Sequence, residues 1–230
     1  MHLPSRLADY LASFPKHLET LNAITKTLDE IPYVTGACVY GSLAAATLDD
    51  LSDVDVLIAT TSKSLKHAWH KRKDIEHNIG HVCFRIDLTE IMPTSCVAYY
   101  ENEIKLHLTF ESETSLQISD EYREAVVLVE RSNAFSAWLA ASRTWERRIE
   151  QTLLAQIDEQ FWFWILQGSA KLRRGELWAA YDTLHVLRTK LILFLEASNA
   201  KRFQGFRRLE QKWKSDDLGK LSNTVCTVDK

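Results

Sequence analysis

Residues 38–60 read CVYGSLAAATLDDLSDVDVLIAT, and the order of residue types in this stretch decides how the chain is organised. The apolar run 37–40 ends at Gly41-Ser42, and Ala44, Ala45 and Ala46 suit a short helix. Val54, Val56 and Ile58 then alternate with Asp53, Asp55 and Leu57. The pattern is strand, tight turn, short helix, strand. Strand side chains repeat every second residue, so Asp53 and Asp55 share a face, side by side. Two carboxylates that close repel each other unless a cation sits between them. An all-oxygen pair suits Mg²⁺, which keeps several waters and takes other ligands from substrate phosphates. Gly41-Ser42 supplies the other half. Glycine lets the backbone pass close to a ligand, and the start of the following helix offers unpaired N–H groups to a phosphate. The plainer alternative is a surface turn followed by an edge strand with two outward acids.

Composition limits the rest. A chain of 230 residues can hold one large or two small cores. The net charge of −3 gives no bulk attraction to nucleic acid, which is not an expected partner. No apolar run reaches the roughly 18 residues of a membrane span, and residues 1–14 lack the apolar core and cleavage site of a signal peptide. A cytoplasmic location is expected, without a membrane partner. Cys38, Cys83, Cys96 and Cys226 form no CxxC pair, and three lie in apolar runs, which points to buried thiols.

Outward from the central stretch, residues 5–30 have helical apolar spacing with a break near Pro15. Residues 62–78 form a polar helix with Ser62 as a possible N-cap. His67, His70 and His77 on it are better read as part of a solvated basic face than as a metal set, since no matching carboxylates or cysteines accompany them. Residues 81–89, 95–100 and 103–110 alternate as strands, the last two as a hairpin, and 125–129 reads as an edge or satellite strand. Ser132-Asn133 marks a domain boundary, giving domains 1–131 and 132–230. From there the chain reads as helices over 134–156, 160–175, 176–196 and 203–214. The second is apolar all round and expected to be buried. The third carries a stripe of Leu177, Leu184, Leu187, Leu191 and Phe194. Residues 201–214 interleave basic and aromatic side chains, which fits an amphipathic helix better than a nucleic-acid surface.

Tyr40-Gly41-Ser42, the spacer 43–52 and Asp53-Val54-Asp55-Val56 resemble the signature of the DNA polymerase β-like nucleotidyltransferase superfamily. KLRRGELWAA at 171–180 and LHVLR at 184–188 are similar to the helical C-terminal half of aminoglycoside and lincosamide nucleotidyltransferases. The resemblance implies an α+β fold, with an N-terminal domain built on a mixed sheet and a C-terminal helical bundle. It implies Mg²⁺ on Asp53 and Asp55, ATP or another NTP held at Gly41 and Ser42, and transfer to a hydroxyl of a small acceptor such as an aminoglycoside or lincosamide. It also implies a third acid on a neighbouring strand. Asp87, in RIDLT at 85–89, resembles the streptomycin adenylyltransferase stretch. KLHLTF at 105–110 resembles the K-V-D-F-T-F strand of other relatives, and ISDEYREAVVLVERSNAF at 118–135 is similar to the segment after that strand, which puts His107 at the acid's position. Both alternatives stay open. Trp178, Asp182 and His185, at helical spacing, are the candidate acceptor contacts. Two rival readings are a module that modifies protein or RNA, and a nucleotide-binding protein that has lost its third acid and with it catalysis.

Overall fold

The computed structural model describes residues 5–225. The chain divides into two units between Trp145 and Glu146. The first opens with α1 (Ser5–Leu11) and α2 (Pro15–Asp29), and Pro15 stands in the first turn of α2, where its missing N–H costs nothing. β1 (Val34–Tyr40), α3 (Gly41–Ala44), β2 (Val54–Thr60), α4 (Leu65–Ile79), β3 (Val82–Asp87), β4 (Ser95–Tyr100), β5 (Lys105–Ser112), β6 (Val126–Glu130) and α5 (Asn133–Thr144) follow.

The strands form one mixed sheet in the order β3-β4-β5-β2-β1-β6. β2 and β5 run parallel; the other neighbouring pairs are antiparallel. One face packs on α1, α2 and α4 through Leu21, Ile24, Ala68, Ile75, Val56, Ile58, Leu106 and Phe110. The other face is covered by α5 over β1 and β2, where Cys38, Tyr40, Leu57 and Ala59 meet Phe135, Trp138 and Leu139. β1 and β2 are therefore buried on both sides, which is why their sequences run almost continuously apolar. Gly36 makes that contact possible, because a Cβ there would lie 2.3 Å from the Phe135 ring. Edge strand β3 is open on the α5 side, leaving Phe84 and Ile86 exposed.

This is the expected α+β architecture with a mixed sheet and a helical C-terminal part. The boundary is different. Ser132 is the N-cap of α5, its hydroxyl accepting from the Ala134 N–H, and α5 belongs to the sheet's core. The helix expected over 134–156 is two helices, interrupted at 145–150. In the second unit α6 (Gln151–Arg173) and α7 (Leu177–Ser198) lie side by side, followed by α8 (Leu209–Lys212) and α9 (Ser215–Ser222). α6 is not buried all round. Trp162, Phe163 and Leu166 are exposed, because the helix packs mainly along its α7 side. The buried positions of α7 are Thr183, Arg188, Ile192 and Glu196, a stripe rotated from the expected one. Polar bonding explains it. Lys171 donates to Thr183, and Arg188 donates to the Thr224 hydroxyl. The expected helix over 203–214 is mostly irregular, with Gly205 and Arg208 left-handed. Of the thiols, Cys38 and Cys96 are buried and Cys83 is exposed, contrary to expectation; Cys226 lies outside the described residues. Among the described residues, no helix is long and apolar enough to cross a membrane.

Candidate functional site

The parallel pairing of β2 with β5 builds the site. It sets Asp55 opposite His107, and Asp55 Oδ1 lies 3.3 Å from His107 Nδ1. One residue before β2, Asp53 receives the Lys105 ammonium at 2.7 Å. The two acids and their two partners therefore occupy neighbouring rows on one face of the sheet. The side chains of Asp53, Asp55 and His107 are only 13–17% exposed, so the carboxylate charges there are weakly screened. Burial, the largest influence on Lys105, pulls its pKa down. The bond to Asp53 and the carboxylate charge outweigh it and hold the ammonium above its ordinary value.

Antiparallel β1 brings its C-terminal end to the same place, with Tyr40 opposite Asp55. Gly41 follows with φ of +72°, a left-handed conformation that disfavours any side chain. A Cβ on Gly41 would lie 2.7 Å from Asp55 Oδ2. The glycine thus keeps open the space beside that oxygen. α3 is a single turn of four residues, so the phosphate-holding capacity expected of a helix start rests on the turn itself. Ser42 Oγ and His107 Nε2 are buried polar atoms without a hydrogen-bond partner.

Asp87 is not part of this group. It lies on β3, the far edge of the sheet, separated from β2 by β4 and β5. Arg72 grips it with two bonds, Nε to Oδ1 at 3.0 Å and Nη2 to Oδ2 at 2.6 Å, and itself lies 4.0 Å over the Trp69 ring. That guanidinium bond holds the Asp87 carboxyl below the usual range, with burial opposing it. The pair fastens α4 to the sheet edge. The sheet order thus puts His107, rather than Asp87, in the position beside the Asp-Val-Asp strand. Trp178, Asp182 and His185 belong to α7 of the second unit; all three are exposed, and His185 stacks on Phe206 at 5.3 Å. His67, His70 and His77 are exposed on α4, and His70 Nδ1 meets the Lys66 carbonyl.

Two carboxylates on one face, with a glycine-lined space beside Asp55 Oδ2, fit a hard divalent ion that takes its other ligands from water and phosphate. They do not form a closed cage. Among the described residues no group of three or more His, Cys, Asp or Glu side chains is arranged to hold a metal. The residue opposite Asp55 on β5 is His107, which gives no carboxylate to bridge a second Mg²⁺. Lys105 was not anticipated. Its alternation with His107 was visible in KLHLTF, but its pairing with Asp53 depends on which strand lies next to which.

No family model and no curated protein matches the chain. The solved structure of an aminoglycoside 6-adenyltransferase from Bacillus subtilis is similar over 91% of this chain and 80% of that one, at 14% identity and a TM-score of 0.35. A likeness that loose carries no argument about chemistry.

Proposed function

We propose that the chain is a nucleotidyltransferase moving AMP from ATP to a hydroxyl of a small acceptor, with release of pyrophosphate. The observation that carries this reading is the Asp55 carboxylate, divided between two neighbours. Oδ1 meets His107, and Oδ2 faces the space that Gly41 leaves open.

In this reading Asp53 and Asp55 hold Mg²⁺, which when bound supplies neutralising charge to the phosphates. Gly41 and Ser42 hold the β,γ end of the triphosphate. His107 donates its Nδ1–H to Asp55 and fixes which oxygen faces the nucleotide. His107 Nε2, the nitrogen left to act as a base, is closed off from solvent, so His107 acts here as a positioning residue. Lys105 is a fixed positive charge beside Asp53, where the absent third acid leaves no place for a second cation. The acceptor oxygen attacks the α-phosphorus, the bond to the β-bridging oxygen breaks, pyrophosphate leaves and the hydroxyl proton passes to solvent. Phosphoryl-type transfers through loose transition states need positioning and charge stabilisation more than a strong base.

The absent third carboxylate and the Lys105–Asp53 pair also favour a second reading, nucleotide binding without transfer. One experiment separates the two. Calorimetry with ATP, with and without Mg²⁺, on wild type and Asp55→Asn should give Mg²⁺-dependent binding that the variant loses. Pyrophosphate release on adding hydroxyl acceptors then supports transfer; binding with no release for any acceptor supports the second reading. A folded wild type that binds no nucleotide removes both.

A further inference from the structure

The two rows that hold the acids continue across the sheet and change character. In one, Asp55 and His107 are followed by Val97 and Ile86. In the other, Asp53 and Lys105 are followed by Tyr99 and Phe84. Phe84 is 60% exposed, Ile86 48% and Tyr99 44%, and the Phe84 and Tyr99 rings lie 6.4 Å apart. The cluster that α5 forms on this face takes in β2, β1 and β6 and no residue of β3 or β4. An open apolar floor on β3 and β4 therefore adjoins the acids, on the side away from Gly41.

We propose that this floor seats the acceptor, and that the acceptor is an uncharged molecule with a flat apolar ring system that carries the reacting hydroxyl. The inference rests on the transferase reading. Three observations carry it. In such a transfer the attacking and leaving oxygens stand roughly in line through phosphorus. Pyrophosphate at Gly41 and Ser42, beyond β1, puts the acceptor on the opposite side of Asp55, over β5, β4 and β3. Second, the charges exclude a polycation. The carboxylates next to the floor, Asp53 and Asp55, already have partners in Lys105 and His107, and Glu111, on the same face, lies two rows further along β5, away from the floor. The charged side chains of β3, Arg85 and Asp87, turn to the other face and bind Glu76 and Arg72. A polyamine would meet Lys105 and find no carboxylate along the floor. Third, three strand spacings separate Asp55 from Ile86, roughly 14 Å, a length that a few fused rings span. Exposed aromatic rings at a sheet surface bind flat apolar rings by stacking and area burial.

The test uses the full chain, Mg²⁺, a non-hydrolysable ATP analogue and two probes: 7-hydroxycoumarin, a flat neutral phenol followed by its fluorescence, and 2-deoxystreptamine, a polycationic aminocyclitol followed by calorimetry. The coumarin should bind saturably and tighter than the aminocyclitol. Phe84→Ser with Tyr99→Ser should weaken it at least tenfold, Ile86→Lys should weaken it independently, and Tyr99→Phe alone should leave it at the wild-type value. Affinity for the ATP analogue should stay within twofold throughout, with unchanged melting curves. Tighter binding of the aminocyclitol overturns the proposal. So does a parallel loss of ATP-analogue affinity, which would give the floor to the nucleobase, or a shift from dimer to monomer in the serine variants, which would give it to a second copy. Coumarin binding with these variant effects in a protein that binds no nucleotide would uphold the floor and remove the transferase reading.

Discussion

Replacing Gly41 by alanine tests the site through one carbon atom. The substitution has two separable effects. A non-glycine residue held in the left-handed region costs about 1–2 kcal/mol. The added Cβ would also lie 2.7 Å from Asp55 Oδ2, nearer than the 3.0 Å under which something must shift. The backbone on one side and the His107 bond on the other leave the carboxylate to move. Gly175 supplies the control. Its φ is +75°, and a Cβ there has nothing within 4 Å. Gly175→Ala thus carries the backbone cost alone. Both variants should lower the melting temperature by about 2–8 °C, as about 1–2 kcal/mol does in a chain of this size. Only Gly41→Ala should weaken Mg²⁺-dependent ATP binding, at least about tenfold, which corresponds to 1.4 kcal/mol. Thermal melts and calorimetry on the two proteins decide it. Equal losses of affinity in both, or wild-type affinity in Gly41→Ala, would refute the argument that Asp55 Oδ2 and the open space beside Gly41 form the ligand site.

Lys105→Met removes the ammonium that competes for Asp53, so Mn²⁺ affinity, read by electron paramagnetic resonance without nucleotide, should rise about fivefold, the worth of roughly 1 kcal/mol from a partly exposed pair. Asp87 has a depressed folded-state pKa, so the stability it contributes is present above the unfolded value near 4 and is lost as pH falls through the folded value. Asp87→Asn should therefore be less stable than wild type at pH 7, lose less stability on acidification below about pH 4, and bind ATP normally; urea titrations across pH check the first two and calorimetry the third. Limited proteolysis should cut within 145–150 and spare the peptide bonds around Ser132 and Asn133, which are tied into α5; early cleavage there, read by mass spectrometry, would contradict the packing of α5 on the sheet.

What the sequence disclosed was local. The turn at Gly41, the strands on either side of it and the shared face of Asp53 and Asp55 follow from residue order over 23 positions, residues 38–60. Strand neighbours do not. RIDLT and KLHLTF alternate equally well, and the difference between Asp87 and His107 is that β5 rather than β3 lies beside β2. Lys105 was hidden for the same reason. Ser132-Asn133 misled because a helix cap and a linker use the same small polar residues; only the burial of Phe135 and Trp138 distinguishes them. In α7 the apolar count pointed to a leucine stripe, while Thr183 and Arg188, held by Lys171 and Thr224, turned the helix to bury a polar one.

The parallel neighbourship of β2 and β5 also governs how the protein reaches this state. Asp55 and His107 stand 52 residues apart in the chain. Bringing the ends of a flexible loop that long together costs about 3.5 kcal/mol of chain entropy beyond a constant. The antiparallel β4–β5 hairpin closes over a few residues and needs no such search. Non-local parallel pairing is slow for this reason. The hairpin should therefore form before the β2–β5 contact, and the acids should acquire their strand neighbours only when that contact forms. In stopped-flow refolding, nucleotide capture should lag the appearance of β structure, so that competence to bind becomes a clock for the last large rearrangement of the sheet.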